Sequence, residues 1–243
     1  MNAIWIFLVA LAYASVGHGG ASGFLAVMAL FGTPAAHMRP SALILNILVA
    51  SIAALLFTRA QPLVKSNQLT LALLCCASVP CAFLGGRLTL PATVFEVLLA
   101  GFLIISALQL IRPMQSKVTA EEFRSLPKIA ALTLGAVLGL LAGLTGIGGG
   151  VLLSPILVLG RFASLRHAAA MSAIFIVLNS SAGLLALHTR DAILLPPNFL
   201  NWLAAGALGA CIGARIGSVW LPPLAMRMAL AAVLFLAAMR LLA

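Results

Sequence analysis

The sequence predicts an all-α integral membrane protein of two homologous four-segment halves, arranged as inverted repeats with broken or re-entrant helices at segments 1 and 5. Three observations predict it. Hydrophobic residues fill 63% of the 243 positions and charged residues only 7%, against roughly 25% charged in a typical soluble domain. Apolar runs long enough to read as membrane spans recur along the whole length. A glycine cluster occurs twice, first as Ala14-Ser15-Val16-Gly17-His18-Gly19-Gly20-Ala21 and again as Gly143-Leu144-Thr145-Gly146-Ile147-Gly148-Gly149-Gly150.

The two clusters keep a nearly constant spacing with their surroundings. Gly17, Gly19 and Gly20 match Gly146, Gly148 and Gly149 at an offset of 129. Ser41-Ala42 matches Ser172-Ala173 at 131, while Gly85, Arg87 and Arg112 match Gly213, Arg215 and Arg240 at 128. The chain therefore reads as a duplication, with a first repeat over 1–111, a polar linker over 112–128 and a second repeat over 129–243.

Eight apolar segments make up the repeats, at roughly 3–31, 40–57, 67–86, 92–111, 129–160, 168–188, 198–220 and 223–242. Segment 1 carries the first glycine cluster near its middle. Segment 2 brings Ser41 and Asn46, and segment 3 closes on Gly85-Gly86-Arg87. Segment 4 holds Glu96, the one acid in a predicted span. The linker, with Glu121 and Glu122, separates it from segment 5 and the second cluster. Segment 6 supplies Ser172, Asn179 and Ser180, segment 7 ends on Gly213-Ala214-Arg215, and segment 8 contains Arg240.

Segments 1 and 5 are too long for simple spans. Their 29 and 32 residues would run roughly 43 to 48 Å as helix, against a hydrocarbon core of about 30 Å. Each is either one strongly tilted span or a hairpin that enters the bilayer and returns. If all eight segments cross, Lys and Arg divide eight to six in favour of the linker side; if segments 1 and 5 are hairpins, they divide ten to four. Leaving out Arg87 and Arg215 narrows the contest to eight against four and nine against three. Positive charge collects on the cytoplasmic side, so the hairpins are preferred, with the linker cytoplasmic and both termini outside. Each half then crosses an odd number of times, which inverts one copy relative to the other.

The net charge of +10 does not point to nucleic acid, because the basic residues stand singly at the ends of apolar runs and form no patch. Cys75, Cys76, Cys81 and Cys211 lie inside apolar runs without metal-ligand spacing, and read as small buried hydrophobes. Neither a metal nor another cofactor is expected. The N-terminus lacks the basic opening of a cleaved signal peptide, so the first segment is expected to be retained.

Interrupted helix inside a bilayer is tolerated only where protein or a water-filled cavity satisfies its backbone. Glycine permits the sharp turn and leaves bare amide groups open to a ligand. Half-helices starting near Ala21 and Gly150 would aim their positive ends at the breaks, which suits an anion. The candidate binding residues are Gly17, His18, Gly19, Gly20, Ser22, Asn46, Gly146, Gly148, Gly149, Gly150, Ser172 and Asn179, with Ser41 and Ser180 nearby. Arg87 and Arg215 are candidate counter-charges, although snorkelling to the headgroups is the plainer reading of both. His18 has no duplicate and reads either as a hydrogen-bonded structural histidine or as the group for proton coupling. Close helix packing is the competing explanation of the glycines. Gly20-Ala21-Ser22-Gly23 also fits the GxSG of intramembrane serine proteases, with His37, His167 or His188 as base, but the second copy has no serine there.

Tyr13 through Gly23, and Gly143 through Gly150 followed by Leu153-Ser154-Pro155, resemble the TauE/SafE family of sulfite exporters, as do Ser172-Ala173 and Gly213-Ala214-Arg215. The resemblance covers essentially the whole chain. It departs in the first copy, where Ala21 and Gly23 stand for Gly150 and Leu152 and no counterpart of Pro155 exists. The resemblance implies a multi-pass permease of the bacterial inner membrane that moves a small sulfur-containing anion, sulfite or an organosulfonate, usually outward. Alternating access around the two breaks is the expected mechanism, and an accessory protein that transports nothing is the alternative. No ATPase motif is present, so an ion gradient is the expected driving force. The sequence carries no indication of oligomeric state.

Overall fold

A computed structural model describes residues 3–88, 124–190 and 192–220, with isolated positions between 100 and 108 and between 222 and 239. The regular elements among them are all helical, in the order α1 (Ala3–Ala14), α2 (Ala21–Leu30), α3 (Ala35–Ala60), α4 (Lys65–Arg87), α5 (Lys128–Thr145), α6 (Gly150–Leu159), α7 (Leu165–His188) and α8 (Phe199–Arg215). A π-helical turn, Ile216–Trp220, prolongs α8. Among the described residues α3, α4, α5, α7 and α8 with its extension are long and apolar enough to cross a membrane. Most of segment 4, Glu96 included, most of segment 8 and residues 112–123 of the linker fall outside the described residues. The rest of the linker is non-helical up to Lys128, where α5 begins.

Each over-long segment is two helices. In segment 1 the chain leaves α1 at Ala14 and re-enters helix at Ala21; in segment 5 it leaves α5 at Thr145 and re-enters at Gly150. At each break the chain turns back. The Trp5 ring at the start of α1 lies 6.3 Å from the Phe31 ring just past α2. A Cβ on Gly23 would lie 2.7 Å from Val9 Cγ1, which puts the start of α2 beside the middle of α1. In the second half the Arg124 amide, ahead of α5, donates to the Arg161 carbonyl, past the end of α6, at 2.9 Å. Both are helical hairpins whose outer ends meet.

The halves interlock. The third span of each half lies along the first helix of the other, α4 along α5 and α8 along α1, while α3 meets α7. Glycine makes both seams possible. A Cβ on Gly135, Gly139 or Gly143 would run into the carbonyl oxygens of Leu74, Ser78 and Ala82, one turn apart along two parallel helices. On the other seam, Gly209, Gly213 and Gly217 face the carbonyls of Phe7, Leu11 and Ser15. The seams are equivalent in detail: Gly85 meets the Leu140 carbonyl as Gly213 meets that of Leu11. Lipid tails are as apolar as leucine, so close backbone approach has to supply what water would supply in a soluble bundle.

Where α3 and α7 meet they run antiparallel. Leu43 is the side chain nearest Gly183, and three residues further along α3 Asn46 bonds Ser180, three residues back along α7. The cysteines correct the expectation made from sequence. Cys76 and Cys211 are exposed and Cys75 and Cys81 only half-buried; on α4 the buried stripe is occupied by Leu74, Ser78 and Ala82, and on α8 by Gly209, Ala210 and Gly213.

Candidate functional site

The breaks are built by left-handed glycines. Gly146 closes α5 at φ 73°, and Gly148 and Gly149 continue at 78° and 71° before α6 begins. In the first half Gly17 and Gly20 take φ 77° and 95°. These are conformations that residues with a Cβ enter at a cost of roughly 1–2 kcal/mol. Gly19 differs, since its φ is ordinary and the constraint is space: a Cβ there would overlap Asn46 Oδ1. Gly148 carries both constraints, because its Cβ would also come within 2.6 Å of Asn46 Nδ2 and 2.7 Å of Ser180 Oγ.

Asn46 joins the two breaks. Its Oδ1 accepts the Ala21 amide, the first donor of α2, at 3.2 Å. Its Nδ2 donates to the Ile147 carbonyl in the other break at 3.2 Å and to Ser180 Oγ at 2.9 Å. One fully buried side chain thus satisfies backbone from both halves, as interrupted helix away from water demands. The first turn of α6 has no such partner, since Gly149 supplies no side-chain cap.

The other expected residues gather around this bridge or brace it. His18 is fully buried, with Nδ1 2.9 Å from the Val16 carbonyl and Nε2 without a partner. Ser22 pairs with the Tyr13 hydroxyl at 2.8 Å, tying α2 to α1. Ser172 pairs with Ser154 of α6 at 2.6 Å, a tie that sequence reading did not include. Asn179 donates to the Phe175 carbonyl at 2.8 Å and leaves Oδ1 buried and unpaired. The Gly150 position is pressed against Ile176 and the Ser172 carbonyl. The Ser41 hydroxyl is likewise buried without a partner. Every polar side chain in this group is buried.

Arg87 and Arg215 are not brought to the breaks. Both are exposed at the last residue of their helices, and Arg87 lies 5.9 Å from the Phe83 ring centroid. The cation that reaches the second break is Arg39, which sequence reading left in the loop before segment 2. It stands in the second turn of α3, donates through Nη2 to the carbonyls of Gly143 and Gly86, and keeps Nε buried and unpaired. Its Cγ lies 3.1 Å from where a Cβ on Gly146 would be. At the matching place in the first break, the residue against Gly17 is Ala169. The sequence signal was the offset of 130 between Arg39 and Ala169, which marks a charge present in one copy alone.

The arrangement offers amide donors, a carboxamide, an imidazole and one guanidinium, with no acidic side chain among the described residues of the breaks. That chemistry suits a small anion. Over residues 2–241 the chain matches the family described as Sulfite exporter TauE/SafE. It is 37% identical over 244 residues to a protein of Sinorhizobium fredii (strain NBRC 101917 / NGR234) named "Probable membrane transporter protein y4hK", covering 99% of this chain and 96% of the relative. No solved structure matches it.

Proposed function

The chain belongs to the sulfite exporter TauE/SafE family of membrane transporters, and from that membership we propose a secondary transporter that exports a small anion, sulfite or an organosulfonate, by alternating access. The observation that carries this reading is the Asn46 bridge between two broken helices. A buried polar group shared by both halves gives an anion a place to bind only when the halves part, on one side or the other.

The halves act as inverted repeats in this reading, which the antiparallel meeting of α3 and α7 supports. The hairpins enter the bilayer and return, leaving the linker cytoplasmic and both termini outside, in a bacterial inner membrane. Rocking of one half against the other breaks the Asn46 contacts to Ile147 and Ser180 and frees donors for the anion, namely Nδ2 and the first amides of α6. Arg39 supplies the counter-charge, since its guanidinium already spends one face on carbonyls and holds Nε in reserve. His18 Nε2 takes the accompanying proton, so that anion and proton travel as a neutral pair. Transport is favoured over intramembrane proteolysis because Ser22 is paired with Tyr13.

Proteoliposomes loaded in turn with sulfite, sulfate, methanesulfonate and 2-aminoethanesulfonate test the proposal. Efflux of sulfite or a sulfonate above empty vesicles supports it. Retention of all four anions contradicts it.

A further inference from the structure

A cavity of about 480 Å³ opens at the linker end of the bundle, between the starts of α4 and α7 and the residues that lead into α5. It is separate from the breaks. His167 on its wall and Ser180 at the breaks are thirteen residues apart on α7, roughly 20 Å at the helical rise. We infer that this cavity is a binding site for a small organic anion with an oxyacid head and a short apolar tail.

The donors converge from three parts of the fold, the starts of α4 and α7 and the chain at Arg124. The start of α4 lines the cavity and has no side-chain cap, so the first amides after Val64 lack acceptors. The start of α7 faces it too, and there Ser164 occupies only the His167 amide, at 3.3 Å. Asn67 is only 6% exposed, lines the cavity, and has a carboxamide that bonds to none of the described residues. Arg124 brings a guanidinium to the wall, on a strand of chain fixed by its own amide bond to Arg161. Among the described lining residues there is no carboxylate. Two positive helix ends, a cation and a carboxamide with no bond to the described residues, in one concavity, select a negative head group.

Size and lining set the rest of the ligand. The volume lies in the range of small-molecule sites, about 300–1,000 Å³, and a bare inorganic anion would leave most of it to water. Val64 and Phe162 give the wall an apolar part, which an alkyl or aryl group would cover.

Equilibrium dialysis of labelled benzoate, an oxyacid anion outside the sulfite and sulfonate class proposed for the breaks, against the purified full-length protein in detergent micelles tests the site. Wild type should take up one equivalent. Arg124→Gln and Asn67→Leu should each weaken binding at least tenfold, while Ser180→Ala, at the breaks, should leave it within twofold. Arg124 is exposed and off any helix, so its variant reports on binding even if Asn67→Leu fails to fold. Absence of uptake by wild type overturns the inference. So does wild-type affinity in Arg124→Gln, or a loss confined to Ser180→Ala, which would place the probe at the breaks.

Discussion

Asn46 of α3 donates to the hydroxyl of Ser180 of α7 at 2.9 Å, so one polar contact pins the antiparallel meeting of the two halves. Ser180 has this one partner there, whereas Asn46 has three. Interhelical hydrogen bonds in membrane bundles average about 0.6 kcal/mol, while a buried group left unsatisfied costs about 1–3 kcal/mol. Ser180→Ala should therefore lower stability by less than about 1 kcal/mol and Asn46→Ala by about 1–3 kcal/mol. Thermal unfolding in micelles measures both, and equal losses would remove Asn46 from its bridging position.

Glycines of the seams and glycines in open register should respond differently to one methyl group. Gly139→Ala drives a Cβ into the Ser78 carbonyl and should separate α4 from α5, giving little folded protein. Gly183→Ala places its Cβ 3.6 Å from Leu43, an ordinary contact, and should fold as well as wild type. Size-exclusion profiles of the two variants decide, and similar profiles would show that the seam tolerates more than its geometry allows.

Arg39 should matter to transport where Arg87 does not. Arg39→Ala should lower sulfite flux at least tenfold, and Arg39→Lys should recover only part, because an ammonium that bonds the two carbonyls has no second nitrogen such as Nε left for an anion. Arg87→Ala should stay within twofold of wild type, since that side chain is exposed. Equal loss in the Arg39 and Arg87 alanine variants would remove the distinction between them.

The hairpins make a topological prediction. In a background without the four cysteines, single cysteines at Arg59 and Arg161 should label from the linker side, and those at Phe31 and Thr189 from the other. If both over-long segments crossed, Arg59 would instead label together with Thr189, and Phe31 with Arg161.

The paired glycine clusters were legible in sequence because backbone geometry demands glycine at Gly17, Gly20, Gly146 and Gly149, where φ is positive, and no other residue substitutes cheaply. The sequence also located both breaks, since an apolar segment longer than the bilayer has to bend, tilt or return. Arg39 escaped notice for the opposite reason. A repeat is read by what its copies share, and Arg39 is what they do not share, with Ala169 in its place. The Asn46 bridge was not legible, although Asn46 and Ser180 were both singled out near the breaks, because a contact across 134 positions has no local pattern. For Arg87 and Arg215 snorkelling was the plainer reading and intramembrane charge the alternative, since sequence marks a helix end but not which way its last side chain points; both are exposed.

The central claim, that an anion binds where Asn46 joins the breaks, is tested most directly by sulfite efflux from proteoliposomes carrying Asn46→Asp. The substitution keeps the shape of the side chain and replaces its donor with a second acceptor, so an anion meets repulsion where it met an amide. Efflux from wild type with at least a tenfold loss in a correctly inserted Asn46→Asp protein is the predicted result. Undiminished efflux from that variant would contradict the account.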